Sequence, residues 1–216
     1  MGMSDTYAQV MRSATPAASN AFDAAVADFR AGVDMVGAGD ADAGHFAFED
    51  VPAPKRLAPH AYAIAATVYG EDEEEVASGR LVLLYDPAGG PGWSSVFRLV
   101  AYVRADIEPE VAADPLLGEV GWTWLTEALE APGYTAESGT VTRVITEGYG
   151  AKSDELPTTN FELRASWSPV MRGGLGGSSP RGSTDEATLA DHVVAWCSCL
   201  AAAAGLEPPG TRAIRR

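Results

Sequence analysis

The chain predicts an α+β fold: a two-layer domain whose five-stranded, mainly antiparallel sheet carries helices on one face, in the order α-βββ-α-ββ-α. Two observations carry the prediction. Twice, two strand-like runs are followed by one amphipathic helix: residues 79–86, 94–107 and 114–130, then 139–148, 160–168 and 184–205. In addition, the second strand of each unit alternates. Phe97, Leu99, Ala101, Val103 and Ala105 oppose Arg98, Val100, Tyr102 and Arg104; Phe161, Leu163, Ala165 and Trp167 oppose Glu162, Arg164 and Ser166. A period of two means one buried face and one at least partly wet face, as in an antiparallel sheet packed on one side.

The elements follow in order. Residues 1–17 read as a mobile tail, and Ser19 caps a first helix over 19–36. There Phe22, Val26, Phe29, Val33 and Val36 recur at steps of four and three, one apolar stripe. The Gly- and Asp-rich stretch 37–50 reads as a loop. Pro52, Pro54 and Pro59 hold the next segment extended. Residues 60–69 form the first strand, with Tyr62, Ile64 and Val68 on one face, and the acidic run 71–75 is a solvated connector. Asp114 followed by Pro115 starts the second helix, whose central stripe is Leu117, Val120, Trp124 and Ala128, widened by Leu125 and Leu129. A Gly-rich loop at 172–183 precedes the last helix. That helix is opened by a capping box of Ser183 and Glu186 and buries Leu189, Val193, Trp196, Cys197, Leu200 and Ala204 on one face. The domain so defined spans 18–207, and 208–216 form a disordered tail.

With 216 residues and 46% apolar content the chain can bury a sizeable core. It has no apolar run long enough for a membrane-spanning helix and no signal-peptide pattern at its start, so a cytoplasmic address without membrane partners is expected. Thirty Asp and Glu against 15 Lys and Arg give a net charge of −15. Such a field repels phosphate backbones and disfavours direct nucleic-acid binding. Cys197 and Cys199, two apart on a helix, point in different directions and read as small buried side chains, neither a disulfide nor a zinc pair.

Motifs with chemistry are few. GSSPRGST at 177–184 nearly matches a phosphate loop, but Ser183 stands where lysine is needed, so a plain linker is the simpler reading. His45 lies in the Gly/Asp loop and His60 starts a strand. His192 sits about 10 Å along the helix from Cys199, too far for both to ligate one ion without a third element, so each reads as a surface or partly buried polar residue. Neither G-x-S-x-G nor H-E-x-x-H occurs. No catalytic, cofactor-binding or metal-ligating residue is therefore assigned, and no cofactor is expected. The candidate site is the wet face of the sheet, where Arg98, Tyr102, Arg104, Glu162 and Arg164 project together, with Arg143 as a further candidate. It suits an acidic or extended partner; the plain alternative is that these arginines pair across strands with Glu147 and Glu162. Trp122, beside a possible homodimer seam, and Trp93, in a turn, are candidates for a contact surface.

The segments PAPKRLAPHAYAIAA, GRLVLLYDPAG, FRLVAYVRADIEPE, DPLLGEVGWTWLTEAL, SGTVTRVITEGYG and ELRASWSP together resemble the actinobacterial domain-of-unknown-function family 3000, over about residues 20–207. The resemblance implies a cytoplasmic protein without an assigned activity. It also implies a gene neighbourhood with a ribonuclease D-like protein, which adds as an alternative an accessory factor in RNA metabolism that binds a nuclease. At fold level the element order is similar to type III secretion chaperones, small acidic proteins that bind extended segments. A non-enzymatic adaptor or chaperone-like module binding another protein is the first expectation. An enzyme working in a cleft between the two hairpin-helix units is the alternative.

Overall fold

Strands β1 (His45–Asp50), β2 (His60–Tyr69), β3 (Glu75–Tyr85), β4 (Phe97–Asp106), β5 (Tyr134–Thr146) and β6 (Thr158–Pro169) form one open antiparallel sheet, ordered β1-β2-β3-β4-β6-β5. This computed structural model describes residues 16–38, 45–70, 72–171 and 188–209. Among them lie helices α1 (Pro16–Gly37), α2 (Pro109–Ala113), α3 (Leu117–Glu130) and α4 (Leu189–Ala203). The near-match to a phosphate loop, the Ser183–Glu186 capping box and the loop 172–183 fall outside the described residues.

The sheet has six strands where five were expected. The additional one is β1, inside the stretch read as a loop, because glycines and aspartates upstream mask the short alternation of HFAFED. Its Phe46 and Phe48 oppose Val68 and Ala66 on the helix-covered face, with ring centroids 5.9 Å apart. Opposite them on the same face, Arg30 of α1 binds Asp50, and its Nε donates to the Tyr62 hydroxyl at 2.7 Å. Burial and the Asp50 bond raise the Tyr62 pKa. This pins the edge strand to the first helix.

The helices cover one face only. Ile64, Val68, Leu81, Leu83, Leu99, Val103, Phe161, Leu163 and Trp167 point into the main core beneath them. The innermost helix is α4, buried nearly all round and packed against α1, α3 and the sheet. Two glycines set its neighbours' positions. A Cβ on Gly32 would lie 2.5 Å from the Ala190 carbonyl, so α1 crosses α4 at backbone contact. A Cβ on Gly121 would lie 2.3 Å from the Phe161 ring. That seating rotates α3, so that Leu117, Gly121, Leu125 and Leu129 face the core while Val120, placed on the central stripe by the sequence, is 42% exposed.

Helix starts also differ from expectation. Asp114 ends α2, its own N–H bonded to Val111, and its carboxylate accepts from the Leu116 N–H at 2.8 Å, so α3 begins only at Leu117. The final helix begins at Leu189 with a capping box of Thr188 and Asp191, and Asp28 of α1 accepts the Leu189 N–H at 2.8 Å. Thr188→Ala is expected to lower stability by about 1 kcal/mol, with Thr188→Ser near neutral, as read from urea midpoints.

On the second face, one end is closed. The proline-held segment after β1 lays Ala58 over Ala63, Val82 and Leu84, and Trp93 joins them. Among the described residues, no helix lies on the rest of that face.

Candidate functional site

The register of the sheet builds the open face row by row. Tyr102 of β4 stands between Arg80 of β3 and Arg164 of β6, and Arg164 in turn opposes Thr140 of β5. The next row places Ser78, Arg104, Glu162 and Thr142 side by side; the previous one places Val82, Val100, Ser166 and Ser138. Small side chains at Ala65, Ser78, Ser138 and Ser166 leave a trough of about 920 Å³ across β3, β4, β6 and β5. Arginines stand over a floor that is mostly apolar or hydroxyl-bearing.

Two of the three arginines are already engaged. Arg164 pairs with Glu162 at 2.8 Å and lies over the Tyr102 ring, 5.1 Å from its centroid, while the Tyr102 hydroxyl donates to Glu162 at 3.1 Å. Burial, with the Glu162 bond second, raises the Tyr102 pKa, so its hydroxyl keeps its proton as a donor. Arg104 donates to the Asn160 side-chain carbonyl at 2.9 Å, with Asp106 at 3.6 Å. Arg80 is exposed and has neither an ion pair nor a hydrogen bond among the described residues. The face therefore carries three exposed guanidiniums and the carboxylates of Glu49, Asp106 and Glu162. Glu49 lies in the row of Arg80 across Ala65, and Arg80 on β3 is the one guanidinium of the three without an ion pair among the described residues.

Tyr102, Arg104, Glu162 and Arg164 lie on one face, as the alternation predicted. The pairing weighed against a binding face is present in another form: the ion pairs run within a strand, Arg164 to Glu162 on β6 and Arg104 to Asp106 on β4, while the bonds to Asn160 and from Tyr102 cross strands. Arg98 does not join them. It is 8% exposed, and its guanidinium donates to the carbonyls of Ala136 (2.7 Å) and Ser166 (3.2 Å) and to the hydroxyls of Ser166 (2.7 Å) and Ser168 (3.4 Å). It holds the bulge of β5 at Ala136, a residue with φ of 53°. Arg143 has the parity of Phe161 and so faces the helices, where it donates to the carbonyls of Ala112 and Asp114. Trp122 covers Gly139 of β5, and Trp93 packs in the second cluster, so internal contacts already engage both tryptophans.

The sequence reading missed Arg80. The run RLVLLY buries both parities at its far end, which hides that Ser78 and Arg80 share a wet face. It also misplaced His192, which is 1% exposed. Its Nδ1 accepts the Trp167 indole N–H at 3.2 Å, its Nε2 has no partner, and burial lowers its pKa to about 4. Cys197 and Cys199 are fully buried; burial raises both thiols, that of Cys199 to about 12, as expected of packing residues. The His60 ring lies tilted against Phe22 and Tyr85, which stack on each other, and β4 pairs directly with β6, so the two hairpin-helix units share one continuous sheet. No described helix is long and apolar enough to cross a membrane. Among the described residues no three His, Cys, Asp or Glu converge as a metal set.

No curated protein and no solved structure matches the chain, so the likeness to type III secretion chaperones gains no support from a structural relative. One family model does match, that of a protein family of unknown function, DUF3000, over residues 19–212. With nearly the whole chain covered, the protein belongs to the DUF3000 family.

Proposed function

We propose that this protein is a non-enzymatic binding module whose open sheet face docks an acidic segment of another protein. The observation that carries the reading is Arg80, an exposed guanidinium without a partner among the described residues, in one row with Tyr102 and, beyond it, Arg164, whose carboxylate mate, Glu162, shows the geometry an incoming carboxylate would copy. Charge complementarity selects the partner class. One guanidinium without an ion pair suits a single carboxylate, whereas a polyphosphate chain would meet the field of a molecule carrying −15. The floor of small residues lets a partner backbone approach closely, and Tyr102 and Arg164 offer a planar, preorganised contact. A second copy is a poor occupant of this face, because it would oppose arginines to arginines.

A labelled peptide rich in Glu and Ala, its Gln-for-Glu counterpart and a single-stranded RNA of similar length test this by fluorescence anisotropy. Binding of the Glu peptide alone is expected, weakening as salt rises and falling about tenfold in Arg80→Glu, the equivalent of one displaced charge contact. Equal binding of the two peptides, an unaffected Arg80→Glu variant, or tighter binding of RNA would each sink the proposal. Arg98 is left intact in this test, since its loss acts on the fold.

A further inference from the structure

We propose that the free edge of β5 pairs antiparallel with the same edge of a second copy of this chain, joining two sheets about a twofold axis. The two edges of the sheet are built differently. β1 is six residues long and tied to α1 through Asp50. β5 is 13 residues long, and over 138–146 it pairs with β6 without a break in register, so its other side presents main-chain N–H and C=O groups in regular order. No strand among the described residues covers that side.

Natural edges are blunted by proline, lysine, inward charges, bulges or a covering loop. The stretch SGTVTRVIT has no proline, no lysine and no carboxylate, in a chain with 30 Asp and Glu. Its one charge, Arg143, is turned onto the carbonyls of Ala112 and Asp114, and the bulge at Ala136 lies at one end only. Threonine, valine and isoleucine dominate, residues that favour a pleated strand. On the helix-covered side Ile145 is 63% exposed and Leu116, just ahead of α3, is 59% exposed.

Charge bears on the occupant and excludes some registers. An edge without a free cation offers nothing to an acidic segment, whereas a second copy matches it residue for residue. In a symmetric antiparallel pair centred on Arg143, that residue would oppose itself. Centred on Thr142, Glu137 would oppose Glu147 at both ends. Centred on Val141, Val141 meets its own copy, Thr140 meets Thr142, Arg143 meets Gly139 and Glu137 meets Ile145, with no like charges opposed. A pair centred on Thr140, with Glu137 against Arg143, also avoids like charges, but the one centred on Val141 leaves Arg143 on the Ala112 and Asp114 carbonyls without a competing carboxylate. This arrangement keeps both open faces on the same side, so two Arg80 sites share one surface and grip a bivalent partner more tightly than either alone.

Light scattering on the eluting full-length chain tests the pairing. The expected mass is twice 22.5 kDa at high micromolar concentration, returning to 22.5 kDa in Thr140→Lys/Thr142→Lys, which sets lysine against lysine on an exposed face. Circular dichroism checks that this variant is folded. Val141→Cys is expected to give a reducible covalent dimer on mild oxidation, and the parent chain, with both native thiols buried, none. A monomeric parent chain overturns the proposal, as does a dimer indifferent to the two lysines. A lysine-sensitive dimer without the Val141→Cys cross-link overturns the register centred on Val141.

Discussion

Acidification from neutrality to about pH 4.5 is expected to cost about 2–3 kcal/mol of stability through His192 alone. The cause is geometric. Trp167 donates its indole N–H to Nδ1 at 3.2 Å, so the imidazole proton sits on Nε2, where no acceptor meets it. A second proton would have to break the Trp167 bond and leave a cation in the core. Burial therefore holds the pKa near 4 instead of 6.5, opposed only weakly by Asp191. With the folded value depressed, the unfolded chain takes up the proton first as pH falls. Stability is untouched by this group above about pH 6.5 and is lost progressively down to about pH 4. The control is His192→Gln, which keeps a neutral polar side chain at both pH values. Carboxylates contribute equally to both proteins, so the difference between their urea midpoints at the two pH values isolates the imidazole. Parallel losses in the two proteins would show that His192 does not titrate in the fold.

Arg98→Met is expected to destabilise the chain by about 2–4 kcal/mol, although no carboxylate pairs with this arginine. Replacing a buried ion pair with apolar residues is often harmless because both charges leave together. Here only the donor leaves. The carbonyls of Ala136 and Ser166 and two serine hydroxyls remain, and a methionine stem seals them from water. Burial lowers the Arg98 pKa and Glu137 opposes the shift, and the guanidinium stays charged while its four hydrogen bonds make it a fork between β5 and β6. Arg98→Lys should recover little, because one ammonium cannot reach both Ala136 and Ser166. Denaturant midpoints of the two variants decide the point: a near-neutral Arg98→Met would mean that water reaches those acceptors.

The open face was legible in the sequence where a strand obeys strict alternation. Along β4 and β6 every second residue is apolar, so Tyr102, Arg104, Glu162 and Arg164 had to share the opposite side. It was illegible where the pattern is mixed. β3 buries residues of both parities beside the Pro-rich segment, which concealed Arg80, and β1 is too short to stand out from its glycine-rich approach. Arg98 follows the alternation yet is buried, because its fate depends on β5, whose bulge supplies a carbonyl aimed at it. The same holds for α3, where the largest apolar side chains suggested a stripe that Gly121 rotates.

By itself, then, the sequence determined which residues face together along each strand and helix, since the periods of two and 3.6 are local properties of the backbone. It also determined the acidic field and the family. Only the tertiary structure decided that β4 lies beside β6, which turns separate alternations into rows and brings Tyr102 to the Glu162–Arg164 pair of β6 while leaving Arg80 without an ion pair among the described residues. Strand order and close approach at Gly32 and Gly121 are set by contacts between residues distant along the chain, and no local period encodes those.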